Sequence, residues 1–265
     1  MLSAAALAYG ALLLLVYFFQ DRLLYFPTRD LFGTPRDRGF EYEEVRLTTS
    51  DGVGLHGWFV PAPAARATVL YLHGNGGNIS HRLERIALLR SIGLNVFIFD
   101  YRGYGQSEGR PGEEGTYDDA RAAWRYLTQT RGIPASEIVP YGVSLGGAIA
   151  AKLCAEEPAR ALIIDSSFTS VPDLGADVYS WLPVRWLGRF EYATKDHITR
   201  VRSPVLVIHS RDDEIIPFRH GEQLYAAAGE PKQLLEILGG HNDNFYVSRA
   251  QYLTGIDAFL RTQRR

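Results

Sequence analysis

The stretch EIVPYGVSLGGAIAAKL, residues 137–153, constrains the fold more than any other part of the sequence. It begins as a run suited to a buried strand, Ile138-Val139-Pro140-Tyr141, and restarts after Gly142-Val143-Ser144-Leu145-Gly146-Gly147 as a helix of small residues. A strand that turns straight into a helix brings two backbones close together, so the residues flanking the turn must lack side chains. Gly142 and Gly146 meet that need on either side of Ser144. Such a passage leaves the serine on a strained turn with its hydroxyl projecting from the strand end. A tight turn carrying an inert serine satisfies the same pattern, so the serine's partners have to decide between the two.

The rest of the chain supplies the sheet that this turn belongs to. From Tyr42 onward, short β-branched or aromatic runs alternate with helical patterns, which predicts an α/β fold: a mostly parallel eight-stranded sheet flanked by helices. EYEEVRLTT and GLHGWFVPA are split by Ser50-Asp51-Gly52, a hairpin signal, so this opening pair is antiparallel. ATVLYLHG, NVFIFDYRG, the strand leading to Ser144, ALIID, PVLVIHS and QLLEILG complete the set. After the sixth strand the rhythm breaks. Residues at about 167–202 offer no strand but carry Tyr179, Trp181, Trp186, Phe190 and Tyr192, which predicts a short helical, lid-like insertion. Its aromatic residues either line a substrate mouth or pack the insertion onto the body. A chain of 265 residues with 46% hydrophobic composition suffices for one large core, placed here at 42–265.

The first nineteen residues carry no charged side chain, and Gln20-Asp21-Arg22 closes them. This predicts a single hydrophobic helix over 1–22 acting as an uncleaved membrane anchor, joined to the body by a connector at 23–41. A cleaved signal peptide would need a basic start and a small-x-small site, and neither is present. Tyr17, Phe18, Phe19, Tyr25 and Phe26 suit a membrane interface. Arg22, Arg29, Arg36 and Arg38 follow the apolar run and no basic residue precedes it, so the expected arrangement is a single pass with the body on the cytoplasmic side. The net charge of −2 provides no basic field, which argues against nucleic acid as a partner. Cys154 is the only cysteine and falls in a helix, so the chain has no internal disulfide and no thiol-pair metal site.

A serine hydroxyl is a weak nucleophile at neutral pH and needs a base within hydrogen-bond reach, oriented in turn by a third group. Where a G-x-S-x-G turn carries the nucleophile, the partners follow in the order serine, acid, histidine. Of seven histidines, His197, His209, His220 and His241 lie downstream. His241 sits just past QLLEILGG and would project over the carboxyl edge of the sheet, so it is the best base. His209 ends a strand as a framework residue, and His220 lies at a helix start. The loop after PVLVIHS offers Asp212 and Asp213 as the acid, with Asp165 after ALII as a further candidate.

These segments resemble the α/β-hydrolase superfamily. HSRDDEIIP is similar to its acid-bearing H-G-x-x-D-x-x-x-P loop with Ser210 replacing the glycine, which puts the acid on Asp213, and GGHND matches its histidine loop at His241. YLHGNGG resembles its oxyanion-hole stretch, implying that the backbone N–H groups of Asn75 and Leu145 stabilise a tetrahedral oxyanion. A phosphate-cradling loop is the rival for these glycines, but G-x-G-x-x-G is not met. FDYRGYGQSEG also matches a stretch typical of these enzymes, with a supporting role. The apolar start followed by DRLLYFP resembles the membrane-anchored members, a group that includes protein depalmitoylases.

The resulting expectation is a serine hydrolase in which Ser144 attacks, His241 moves the proton and Asp213 holds the imidazolium, with no metal or organic cofactor. Its substrate would be an ester or thioester of an apolar acyl group, since a tethered enzyme meets lipids and lipidated proteins at high local concentration. A peptidase or amidase using the same residues is the near alternative. A non-catalytic, membrane-tethered binding protein on the same fold is the distant one.

Overall fold

Ala67–Leu72, Leu94–Phe99, Ile138–Val143, Leu162–Asp165 and Val205–Ser210 have almost no polar face, so they must be covered on both sides. In a computed structural model, which describes residues 2–263 with side chains from residue 4, they form the centre of an eight-stranded sheet. The strands are β1 (Glu43–Thr48), β2 (Gly54–Val60), β3 (Ala67–Leu72), β4 (Leu94–Phe99), β5 (Ile138–Val143), β6 (Leu162–Asp165), β7 (Val205–Ser210) and β8 (Lys232–Ile237). Their spatial order is β1-β2-β4-β3-β5-β6-β7-β8. β1 and β2 pair antiparallel, as the hairpin signal predicts, and β2 also meets β4 antiparallel; every other pairing is parallel.

Alternate residues of each strand enter opposite cores. On β3, Leu70 and Leu72 pack with the helices Glu113–Arg125 and Leu145–Glu156, while Val69 and Tyr71 face Leu83–Ser91 and the final helix Arg249–Thr262. Cys154 is buried in the first of these cores, consistent with a packing role. The chain leaves β3 outward to β4 and returns on the other flank as β5. That reversal opens a crevice at the carboxyl ends of β3 and β5, where open α/β sheets place their sites.

Between β6 and β7 lie three short helices, Val171–Val178, Val184–Leu187 and Thr194–Ile198. The aromatic residues of this insertion differ in burial. Tyr192 is buried, its hydroxyl 2.8 Å from that of Tyr25 and 2.9 Å from Thr116 Oγ1. Trp181 and Trp186 stay exposed, Trp186 at 91%.

The expectation of one helix over 1–22 is corrected. The helix Leu2–Phe18 ends before Phe19, whose backbone (φ −111°, ψ 20°) leaves the helical region, and a separate short helix, Gln20–Leu24, follows. Seventeen residues span about 26 Å at 1.5 Å each, short of a hydrocarbon core of about 30 Å. Among the described residues no helix is long and apolar enough to cross a membrane. Both helices touch the insertion: Tyr9 Oη of the first donates to the Trp181 carbonyl (3.1 Å), and Gln20 of the second donates through Nε2 to that of Leu187 (2.7 Å) and accepts through Oε1 from Arg189 N (2.8 Å). The connector at 23–41 is tied to the body. Phe26–Pro27 pairs in parallel with Gly76–Gly77, and Asn78 Nδ2 donates to the carbonyls of Thr28 (3.2 Å) and Asp30 (2.8 Å).

Candidate active site

The turn after β5 takes the shape its glycines predict. Ser144 has φ 54° and ψ −120°, a conformation that L-residues hold only when their surroundings impose it. The surroundings do so: Ser144 N donates to the Asp165 carbonyl (2.9 Å), and the Ser144 carbonyl accepts from Gly147 N (2.9 Å) and Ser167 Oγ (2.8 Å). A Cβ on Gly142 would lie 2.2 Å from the Gly146 carbonyl oxygen, and one on Gly146 would lie 2.0 Å from that of Leu72. Side chains cannot enter either position without moving backbone.

Ser144 lines a cavity of about 660 Å³ together with Gly74, Asn75, Leu145 and His241. Leu145 is the first residue of its helix, so its N–H has no intrahelical acceptor. Asn75 is pinned by its other polar groups: Nδ2 donates to the Leu24 carbonyl (2.8 Å), and its own carbonyl accepts from Tyr104 Oη (2.8 Å) and Phe26 N (3.0 Å). The strand-like pair at Phe26–Pro27 thus fastens the loop that bears the candidate oxyanion donor.

His241 Nδ1 lies 2.8 Å from Asp213 Oδ2, and the Asp213 side chain is fully buried. Asp213 Oδ1 accepts from the amides of Ile215 (3.0 Å) and Ile216 (2.7 Å). Burial acts to raise the Asp213 carboxyl, but the hydrogen bond and charge of His241 and the Ile216 amide outweigh it and hold the group below its ordinary value. The group is therefore an anion at neutral pH, able to fix the imidazole with Nδ1 protonated. The histidine loop is held by two further contacts. His241 N donates to Glu214 Oε2 (2.9 Å), and Asn244 Nδ2 donates to the hydroxyl of Ser166 (2.9 Å).

The other candidates are engaged elsewhere. Asp212 is exposed, with Oδ2 accepting from Gly239 N (3.3 Å). Asp165 is consumed by a buried cluster: Oδ2 accepts from Arg85 Nη1 (2.8 Å), Tyr141 Oη (2.8 Å) and Tyr252 Oη (2.7 Å), and Oδ1 from Ser166 Oγ (3.0 Å). His209 Nε2 donates to the Ile216 carbonyl (2.9 Å) and so shapes the acid loop. His220 Nε2 donates to Asp177 (2.8 Å), and His197 Nδ1 accepts from Arg200 (2.7 Å). Neither of these last two lines the cavity. Among the described residues no group of acidic, histidine or cysteine side chains is arranged to hold a metal.

Sequence reasoning passed over Arg85 and its cluster. The visible signal was an arginine set among Leu83, Ile86 and Leu89, the buried residues of one short helix, where a cation must find a buried anion.

Residues 63–191 match the family described as serine aminopeptidase, S33. The chain is 37% identical over 261 residues to an uncharacterized protein, Rv2307c, of Mycobacterium tuberculosis, covering 97% of this chain and 93% of the relative. It is 36% identical to the α/β-hydrolase domain-containing protein WAV2 of Arabidopsis thaliana, covering 79% of this chain and 76% of the relative. The chain belongs to the α/β-hydrolase superfamily. Its fold is that of the solved esterase Pf2001 of Pyrococcus furiosus, with a TM-score of 0.76 at 23% identity over 90% of this chain and 98% of that one.

Proposed function

We propose that the chain is a serine hydrolase that cleaves carboxylic esters or thioesters of apolar acyl groups. The observation that carries this reading is the strained Ser144 in one cavity with the His241–Asp213 pair. Ser144 Oγ attacks the acyl carbonyl while His241 Nε2 takes its proton, and the tetrahedral oxygen receives the N–H groups of Asn75 and Leu145. His241 then gives the proton to the departing alcohol or thiol, leaving an acyl-serine. Water, deprotonated by the same imidazole, attacks the acyl-serine and releases the acid. Asp213 stabilises the imidazolium in both halves.

An apolar groove of about 510 Å³ adjoins the cavity and shares Leu24, Phe26, Asn75, Leu174 and Ile215 with it. Its remaining walls come from Val16, Leu23, Val178, Trp181 and Leu187, that is, from the N-terminal helix region and the insertion. This groove suits an acyl chain. The exposed Leu14, Leu15 and Phe18 of the helix, with Trp181 and Trp186 of the insertion, support a mouth seated on a membrane surface. Lipids and lipidated proteins are the substrates such a mouth would meet.

The matched family description favours a peptidase as the second reading. An aminopeptidase has to receive a protonated amine, and the residues lining the cavity include no carboxylate. A fluorophosphonate probe tests the enzyme reading: labelling is expected in the parent chain, absent in Ser144→Ala and sharply reduced in His241→Ala. A folded parent chain that takes no label would instead be a binding protein. A panel of matched esters, thioesters and amides then decides the bond, and cleavage of peptides with every acyl ester left intact would refute the esterase assignment.

A further inference from the structure

The cavity and the groove that adjoins it differ in lining. Toward Leu24, Phe26, Leu174 and Ile215 the cavity opens into the apolar groove; the residues that line the cavity alone include Tyr71, Arg82, Arg85 and Phe245. The two arginines differ in what they hold. Arg85 is neutralised by Asp165 at 2.8 Å. Among the described residues, no carboxylate comes within 4.0 Å of the Arg82 guanidinium. Arg82 Nη2 donates to the carbonyl of Gly76, next to the candidate oxyanion donor Asn75, and its Nε is buried without a hydrogen-bond partner. Burial is the chief influence on this cation and works against its charge, as does Arg85, while Tyr71, Tyr101 and Asp100 act in its favour. His81, its neighbour on the rim, is tied to Asn78 through Nδ1 (3.2 Å) and contributes no second free cation there.

A half-buried guanidinium in a cavity lined by no carboxylate lacks a counter-ion, which an anionic group of the substrate would supply. Arginine is also the side chain whose planar fork matches the paired oxygens of phosphate or carboxylate. Arg82 lines the cavity and not the groove, so with the acyl chain in the groove the anion would sit on the leaving-group half of the ester.

We propose that Arg82 is a specificity residue that recognises an anionic group, phosphate or carboxylate, on the alcohol or thiol half of the substrate. The natural substrate is then an amphiphile: an apolar acyl chain in the groove, the scissile carbonyl at Ser144, and a negative charge beside Gly76. This inference rests on the esterase reading of Ser144. The reaction is ordinary hydrolysis, in which water adds across the acyl–oxygen or acyl–sulfur bond and the free acid departs from an anionic alcohol or thiol.

The test compares two substrates with the same acyl chain and the same ester, 1-oleoylglycerol and 1-oleoylglycerol 3-phosphate, presented in neutral detergent micelles to the full chain. The parent protein is expected to favour the phosphate-bearing ester in kcat/KM by roughly 10- to 100-fold, the range of a charge-assisted bidentate contact. Arg82→Gln should bring that ratio close to one, and Arg82→Lys, which keeps the charge without the fork, should fall between. Taking the ratio within each variant cancels general damage to the loop at Gly76. Glycerol 3-phosphate should also inhibit the parent protein competitively against 1-oleoylglycerol, an effect that added salt weakens. A parent protein without preference, or a preference that survives Arg82→Gln, overturns the inference even where 1-oleoylglycerol is hydrolysed and Ser144 takes a fluorophosphonate. Failure of labelling and of both hydrolyses would instead strike the esterase reading.

Discussion

The rim of the sheet and the mouth above it are built on opposite principles. At the rim each candidate group is over-determined: Ser144 is fixed by backbone bonds to Asp165, Gly147 and Ser167, and Asp213 by two amides and an imidazole. At the mouth, the helices Leu2–Phe18 and Gln20–Leu24 meet the insertion through the side chains of Tyr9 and Gln20, and Leu7, Leu14, Leu15, Trp181 and Trp186 remain exposed. Chemistry on a carbonyl requires reacting atoms held to within fractions of an ångström. Admission of a flexible acyl chain requires apolar surface able to rearrange, which is the low-stability end of a fold. The difference teaches that position was built into the sheet and adaptability into what lies over it.

The contrast can be broken first at the rim. Asp213→Asn should lower kcat by about 10³- to 10⁴-fold with the fold intact, because the neutral amide cannot hold the imidazole in the required state; steady-state kinetics and circular dichroism check both halves. The same variant has a pH signature. Asp213 lies below its ordinary value of 3.8 in the folded chain, so its contribution to stability is present above that pH and is lost as pH falls through the lower folded value. Urea titrations at pH 2 to 5 should show part of the parent chain's acid destabilisation missing from Asp213→Asn.

One layer below, Arg85→Gln should destabilise the protein by about 3–5 kcal/mol, since it leaves Asp165 buried with two tyrosine hydroxyls and no cation. An effect below 1 kcal/mol would show that this cluster is not what stiffens the rim. Gly146→Ala should cost about 1–3 kcal/mol or more by forcing the Leu72 carbonyl aside, and should lower activity with it; chemical denaturation and ester turnover report the two together.

The smallest effect belongs to the mouth. Trp186→Ala removes a side chain that is 91% exposed and should change stability by no more than about 0.5 kcal/mol. It should nonetheless weaken sedimentation with phosphatidylcholine vesicles. A stability loss of 2 kcal/mol there would erase the distinction between the two regions.

The eight strands and their largely parallel arrangement were legible because period and run length are local properties that burial imposes on residues such as Val69, Leu70, Tyr71 and Leu72. The glycines at 142 and 146 announced a close passage of backbones for the same reason. The end of the first helix was less legible. Hydropathy counts apolar residues without regard to Phe19, where the backbone leaves the helix, and it is silent on what the helix leans against.

By itself the sequence determined that Ser144 stands on a strand-to-helix turn, with His241 and a small set of acids downstream, since each of these is written in neighbouring residues. Asp213 was implied as the acid only by resemblance; the tertiary structure alone shows it beside His241, spends Asp165 on Arg85 and two tyrosines, and straps the loop at Asn75 with the segment after the first helix. It alone left Arg82 without a carboxylate beside Ser144. The reason is physical: whether a charge is paired depends on distances between residues far apart in the chain, and those distances exist only once the sheet has brought its carboxyl ends together.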